Sequence, residues 1–189
     1  MSPSRCVTAV LAALAALVLA GAPGAQAAPR RAAVQTISYD ASRAAELTSL
    51  VDQAAEVWNT RVTNVRLVKG TAGVSVSTAQ SGPAPGMSSC VGCTRGQITL
   101  YRNQIKQSGA GTLRVIVHEF GHILGLNHPQ DIGNCDKVMA GGRCENPYPN
   151  ADERAAVDRF WGRPRPQARP APRPADENRT LRAPALVSR

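Results

Sequence analysis

The seventeen residues VIVHEFGHILGLNHPQD, 115 to 131, constrain this chain more than any others. They hold all three of its histidines, His118, His122 and His128, with Glu119 beside the first and Asp131 just after the last. On an α-helix two residues four apart lie on one face, about 5.4 Å apart along the axis. His118 and His122 can then present two imidazole nitrogens to one zinc at roughly 2.0–2.1 Å. Glu119 projects to a different side of the helix, placed to poise a zinc-bound water as general base rather than to ligate the metal. Two helix histidines alone are a moderately specific signal, because one buried and one solvated histidine is the ordinary alternative. Gly125, three residues after His122, tolerates the left-handed conformation that ends a helix and turns the chain back. His128 follows three residues later and can reach the same metal from that turn. The full spacing is His118-Glu119-x-x-His122-x-x-Gly125-x-x-His128.

The rest of the 189 residues leaves room for one ordinary domain with appendages at both ends. Residues 1 to 27 have a short n-region with Arg5, an apolar core from Val7 to Ala20 and an A-x-A cleavage signal at Ala25-Gln26-Ala27. This pattern predicts a secretory signal peptide, too short and wrongly flanked for a membrane span. The expected location is extracellular. Cys6 would leave with the leader. Residues 163 to 189 contain six prolines and seven arginines and no apolar periodicity, which predicts a disordered basic tail. With Asp176 and Glu177 the tail carries +5 of the chain's formal +9, and the remainder is nearly balanced. Solubility is its simplest role, with weak contact to a polyanion such as cell wall as the other. Between the expected cleavage site and the first strand there is no room for a folded inhibitory segment, so activity soon after export is the expectation. The four cysteines of the mature chain, Cys90, Cys93, Cys135 and Cys144, are an even set in an exported protein, which argues for disulfides.

Hydrophobic patterning between the appendages predicts an α/β (α+β) domain over residues 28–162. A strand is expected at 34–39, and from Ser42 a helical period takes over. Leu47, Leu50, Val51, Ala54, Val57 and Trp58 form one apolar stripe ending near Asn59, with Trp58 in the core. Short alternating strands follow in NVRLVKG and GVSVSTA, an irregular edge strand at most around GMSSCVGC, and a strand at QITLY. The histidine helix is expected to start at Thr112 as N-cap. In the closing segment NADERAAVDRFWG, Asn150 and Glu153 have capping-box spacing.

At four stretches the chain resembles the snapalysins, small neutral metalloproteases of the metzincin clan secreted by streptomycetes. They are ISYDASRA, VWNTRVTNVRLVKG, HEFGHILGL and CENPYPNADERAAVDRFW, within residues 35 to 162. The resemblance implies a minimal metzincin fold: a twisted mixed sheet packed on two helices, with a small C-terminal helical subdomain. It implies that Met139, eleven residues after His128 in DKVMAGG, lies in a tight turn as a hydrophobic floor below the metal. It also implies a disulfide near that turn, which Cys135 and Cys144 bracket; closing so short a loop is worth roughly 2.5–3 kcal/mol in the chain-entropy model. Cys90 and Cys93 fall outside the family pattern, so a local disulfide or a second, structural zinc on all four thiolates are the two readings. Snapalysins usually place an aspartate where this chain has His128. His128 keeps the standard spacing, and Asp131, three residues on, is expected to orient its loop instead. Because QSGAGTLR before the histidine helix carries no carboxylate, no calcium site is predicted there.

These features imply a secreted zinc-dependent metalloendopeptidase with Zn2+ as cofactor, His118, His122 and His128 as ligands and Glu119 as catalytic base. Its partners would be protein or peptide substrates, and a monomer is expected. The segment near 86 to 93 would form an upper rim to which an extended substrate adds as a strand. Tyr148, in NPYPN, is an oxyanion stabiliser or, more simply, a packed tyrosine. The alternative from another class is a noncatalytic zinc-containing protein that binds cell wall or polyanion through its tail; a scaffold, however, has no use for Glu119.

Overall fold

A computed structural model describes residues 33–163. The leader expected over 1–27 and the tail beyond 163 lie outside the described residues. Ten elements follow one another: β1 (Gln35–Arg43), a 3-10 turn (Ala45–Leu47), α1 (Thr48–Asn59), β2 (Val65–Lys69), β3 (Val74–Ala79), β4 (Gly86–Ser88), β5 (Gly96–Tyr101), α2 (Arg102–Ser108), α3 (Thr112–Ile123) and α4 (Ala151–Trp161). The five strands form one sheet in the order β2-β1-β3-β5-β4. Four strands run parallel, and β4 pairs antiparallel with β5 at the edge, in register Gly86↔Leu100, Met87↔Thr99 and Ser88↔Ile98. The result is a mixed α/β domain.

Alternation along the strands decides which face is covered. Ile37, Tyr39 and Ala41 of β1, Val65 and Leu67 of β2, Val74 and Val76 of β3, and Ile98 and Leu100 of β5 all point into one core. That face packs against α1 and α3, whose apolar stripes supply Val51, Ala54 and Trp58 from one helix and Ile116, Phe120 and Ile123 from the other. Trp58 is fully buried, and its indole N–H donates to the Val117 carbonyl at 2.9 Å. The polar handle of the largest core side chain is thereby satisfied by the helix that carries the histidines.

The elements differ from the sequence expectation at three places. The first strand runs on to Arg43 because Ala41 still alternates into the core, and Ala45, at φ 49°, turns the chain before α1 starts at Thr48. Helix α2 went unseen: in RNQIKQS only Ile105 is buried, and one apolar residue in seven leaves no period to read. The N-cap of α3 is Gly111, not Thr112, and no side chain caps that end. At the other end of the domain α4 has its capping box: Asn150 Oδ1 accepts from Glu153 N at 3.0 Å while Glu153 Oε2 accepts from Asn150 N at 2.9 Å. Asp158 Oδ1, also on α4, accepts from Thr63 N and Asn64 N, pinning this helix to the loop ahead of β2. No helix among the described residues is long and apolar enough to cross a membrane.

Candidate metal centre

Helix α3 buries Val115, Ile116, Val117, Phe120 and Ile123 against the core, which turns His118 and His122 to the open side. After Ile123 the chain reverses. Gly125 N donates to His122 O at 2.9 Å, Leu126 N to Gly121 O at 2.9 Å, and Gly125 sits at φ 102° with the Phe160 ring close against it. A side chain there would suffer both the left-handed backbone and a contact at 3.0 Å. The reversal delivers His128 to the two helix histidines. His128 Nε2 lies 3.0 Å from His118 Nε2 and 3.1 Å from His122 Nε2.

The outer ring nitrogens fix what these contacts mean. His118 Nδ1 donates to Val138 O at 2.9 Å, and His122 Nδ1 donates to Leu126 O at 2.8 Å. A neutral imidazole that donates through Nδ1 has only a lone pair at Nε2. Two lone pairs therefore face His128 Nε2, which has at most one proton to give. Protonating the helix pair is no remedy, since burial drives the His118 pKa down to about 4 and lowers that of His122 as well. A cation among the three nitrogens resolves the conflict. Tetrahedral ligands at about 2.05 Å from zinc stand about 3.3 Å apart, close to the spacing found. The donor set of three imidazoles, two of them oriented by backbone carbonyls, fits zinc. These three histidines are the group of metal-ligating side chains that converge among the described residues. Asp131 is turned away, bonded to Asn134 Nδ2 and Lys137 Nζ, so it orients its loop.

Below the histidines lies Met139, 2% exposed. A Cβ on Gly121 would come within 2.3 Å of Met139 Sδ, so the thioether rests on the backbone of α3 between Phe120 and His122. The turn carrying it is held by a carboxylate that also caps α4. Glu153, 8% exposed, accepts from Val138 N at 3.1 Å and Met139 N at 2.9 Å. Arg114, on α3, closes the same turn from the other side by donating to the carbonyls of Lys137, Ala140 and Asn146. The structure joins Cys135 to Cys144 across the turn, and Cys90 to Cys93. The latter pair rules out four free thiolates for a second zinc. It closes a loop whose Gly92 N and Cys93 N donate to the carbonyls of His122 and Ile123, capping the C-terminus of α3.

Glu119 is 4% exposed and faces the edge strand β4. Burial pushes its carboxyl up to about 7, while the hydroxyl of Ser88 opposes that by donating to Oε2 at 2.9 Å. Gly86 lies against the same carboxylate: a Cβ there would stand 2.6 Å from Glu119 Oε1. Neither Ser88 nor Gly86 carries a signal in SGPAPGMSSC, where serines and glycines are plentiful. A cleft of about 520 Å³ runs past these groups, lined by β4, the open side of α3 and residues 140–143. Tyr148 is outside that lining and outside the core; it is half exposed, with the Arg61 guanidinium 4.3 Å from its ring centroid.

Two helix histidines, a third from the following turn and a buried glutamate between the first two form one candidate metal centre, with Met139 packed against the helix that carries them. The chain belongs to the Streptomyces extracellular neutral proteinase (M7) family, which matches residues 33–163. It is 36% identical over 138 residues to the extracellular small neutral protease of Streptomyces lividans, covering 70% of this chain and 60% of that one. It is 38% identical over 132 residues to the protein of that name from Streptomyces caespitosus, covering 67% of this chain and 96% of the relative. The chain thus spans about 60% of the first relative's length and nearly all of the second's. Among solved structures, an archaemetzincin from Methanopyrus kandleri aligns over 71% of this chain and 99% of its own, with TM-score 0.46 and 16% identity.

Proposed function

We propose that this chain is a zinc-dependent endopeptidase that hydrolyses peptide bonds in extracellular proteins. The observation that carries the reading is the buried carboxylate of Glu119 on the same cleft as three converging imidazole nitrogens whose lone pairs require a cation. Zinc, when bound, supplies a Lewis acid that polarises a carbonyl and acidifies a water. His118, His122 and His128 would hold it, and Val138 O and Leu126 O keep two of the rings in the ligating tautomer. Glu119 takes the proton of the attacking water and passes it to the leaving amine. A carboxyl near 7 is matched to both halves of that task, accepting and then returning a proton at neutral pH. Ser88 holds Oε2 and leaves Oε1 to work.

Substrate alignment follows from β4. The residues flanking it, 85 and 89, bond to β5, through Tyr101 N to Pro85 O and Ser89 N to Gln97 O. By the antiparallel alternation, the backbone groups of Gly86 and Ser88 face the free edge over the cleft. An extended peptide added there as a strand would bring its carbonyls past Glu119. Export, with removal of residues 1–27 and a basic tail from 163, belongs to the same proposal, supported by the leader pattern and by relatives named as extracellular.

The test is casein hydrolysis by residues 28–189, wild type beside Glu119→Gln, with zinc content measured on both. Cleavage by the wild type and none by the zinc-loaded variant is expected. If both bind zinc and neither cleaves a broad peptide set, the reading fails.

A further inference from the structure

The cleft carries two arginines, and their circumstances are opposite. Arg114 is 3% exposed and spent on three carbonyls. Arg143 lines the same cleft but is exposed, and among the described residues its guanidinium makes no hydrogen bond or ion pair. We propose that Arg143 is a specificity-determining residue that recognises a carboxylate of the peptide seated in the cleft. This rests on the endopeptidase reading above.

Three features separate Arg143 from an ordinary solvated arginine. Its root is fixed, because the next residue, Cys144, is bonded to Cys135 and its carbonyl accepts from Gly111 N at 3.2 Å. Its stem is also laid down: a Cβ on Gly109 would meet Arg143 Cγ at 3.2 Å and Cδ at 3.3 Å, so the methylenes lie on the Gly109 backbone. A side chain already constrained in this way has less rotamer freedom to lose when it binds. Finally, the surrounding lining is largely apolar, with Ala84, Pro85, Ala110, Val115 and Ala140, so a seated peptide would shield the ion pair from water. The only carboxylate in that lining is Glu119, which is buried and bonded to Ser88.

The position along the cleft can be bounded. Gly111, beside the Arg143 root, is seven residues before His118, or about 10 Å along α3 at 1.5 Å per residue. An extended peptide advances about 3.3 Å per residue. The carboxylate recognised therefore belongs two or three residues from the cleaved bond, on the side that overlies the N-terminal half of α3. It is an Asp or Glu side chain, or the C-terminal carboxylate of a short peptide.

The test uses the zinc-loaded chain and matched peptides that carry Glu, Gln or Lys in turn at each of the three positions on either side of one cleaved bond. A further pair has a free or an amidated C-terminus. The expected result is a kcat/KM about tenfold higher for Glu than for Gln at one position, the scale of a shielded charge-assisted bond. Arg143→Lys should keep part of the preference. Arg143→Glu should reverse it in favour of Lys, an inversion that misfolding does not produce. A preference confined to the free C-terminus assigns the group to the substrate's end rather than to a side chain. Equal rates for Glu and Gln throughout, or a Glu preference that survives Arg143→Glu, overturns the proposal and leaves the endopeptidase reading in place. A wild type that cleaves nothing removes both.

Discussion

Replacing Glu153 by glutamine should loosen the metal centre from a helix that carries none of its histidines. The Glu153 carboxylate accepts from Val138 N, Met139 N and Asn150 N, and the carbonyl of that same Val138 accepts from His118 Nδ1. Glutamine keeps one acceptor oxygen and sets an amide N–H₂ where the other stood. In its better orientation the oxygen serves Val138 and Asn150, and the Met139 N–H is left facing a donor in the interior. Hydrogen bonds to a charged group contribute about 1.5–3 kcal/mol and a stranded buried donor costs about 1–3 kcal/mol. The variant should therefore lose about 2–4 kcal/mol, a large part of a domain's usual margin. Because the displaced turn carries the partner of His118, zinc affinity should fall roughly 10–100-fold, the usual effect of disturbing a ligand's hydrogen-bond partner. Urea unfolding of the metal-free protein measures the first quantity, and chelator competition measures the second. Asn150→Ala is the control: it removes the side-chain half of the cap, costs about 1 kcal/mol, and leaves Val138 and Met139 bonded. If Glu153→Gln binds zinc within twofold of wild type, or Asn150→Ala weakens zinc equally, the coupling through Val138 is wrong.

Ser88→Ala removes the bond that lowers the Glu119 pKa, so that carboxyl should be deprotonated only at higher pH. If Glu119 is the base proposed above, the acid limb of the kcat/KM profile should shift upward, and an unmoved limb would show that Ser88 does not govern it. Gly86→Ala places a Cβ 2.6 Å from Glu119 Oε1, and the carboxylate must move; kcat should drop at least tenfold with zinc content retained, as steady-state kinetics and metal analysis would show. In the metal-free protein Glu119, raised by burial from 4.5 to about 7, contributes stability that is present below 4.5 and lost as pH rises to 7. His118, lowered by burial from 6.5 to about 4, acts oppositely: its contribution is present above 6.5 and lost as pH falls to 4. Glu119→Gln deletes the first slope only. Its stability should therefore climb more steeply with pH than that of wild type across 4.5–7, by about 1.4 kcal/mol per pH unit. Parallel curves in urea titrations would contradict the buried, protonated Glu119.

What the sequence alone determined is what local geometry can carry. A 3.6-residue period puts His118 and His122 on one face and Glu119 off it, whatever the rest of the chain does. Gly125 and His128 follow within one reversal, so the three histidines meet inside an eleven-residue stretch. Alternation exposed the strands, and the spacing of Asn150 and Glu153 marked the start of α4. Tertiary structure decided everything that depends on distant segments meeting. Ser88 and Gly86 reach Glu119 from about thirty residues away, because the antiparallel edge strand is laid over α3. Glu153 doubles as a helix cap and the anchor of the Met139 turn because α4 packs back beneath the site. Arg143 enters the cleft because Cys144 is tied to Cys135 and to Gly111. Such side chains leave no periodic trace, since their roles come from single long-range contacts. The short polar α2 hides for a related reason: one buried residue is too little apolar surface to declare a helix.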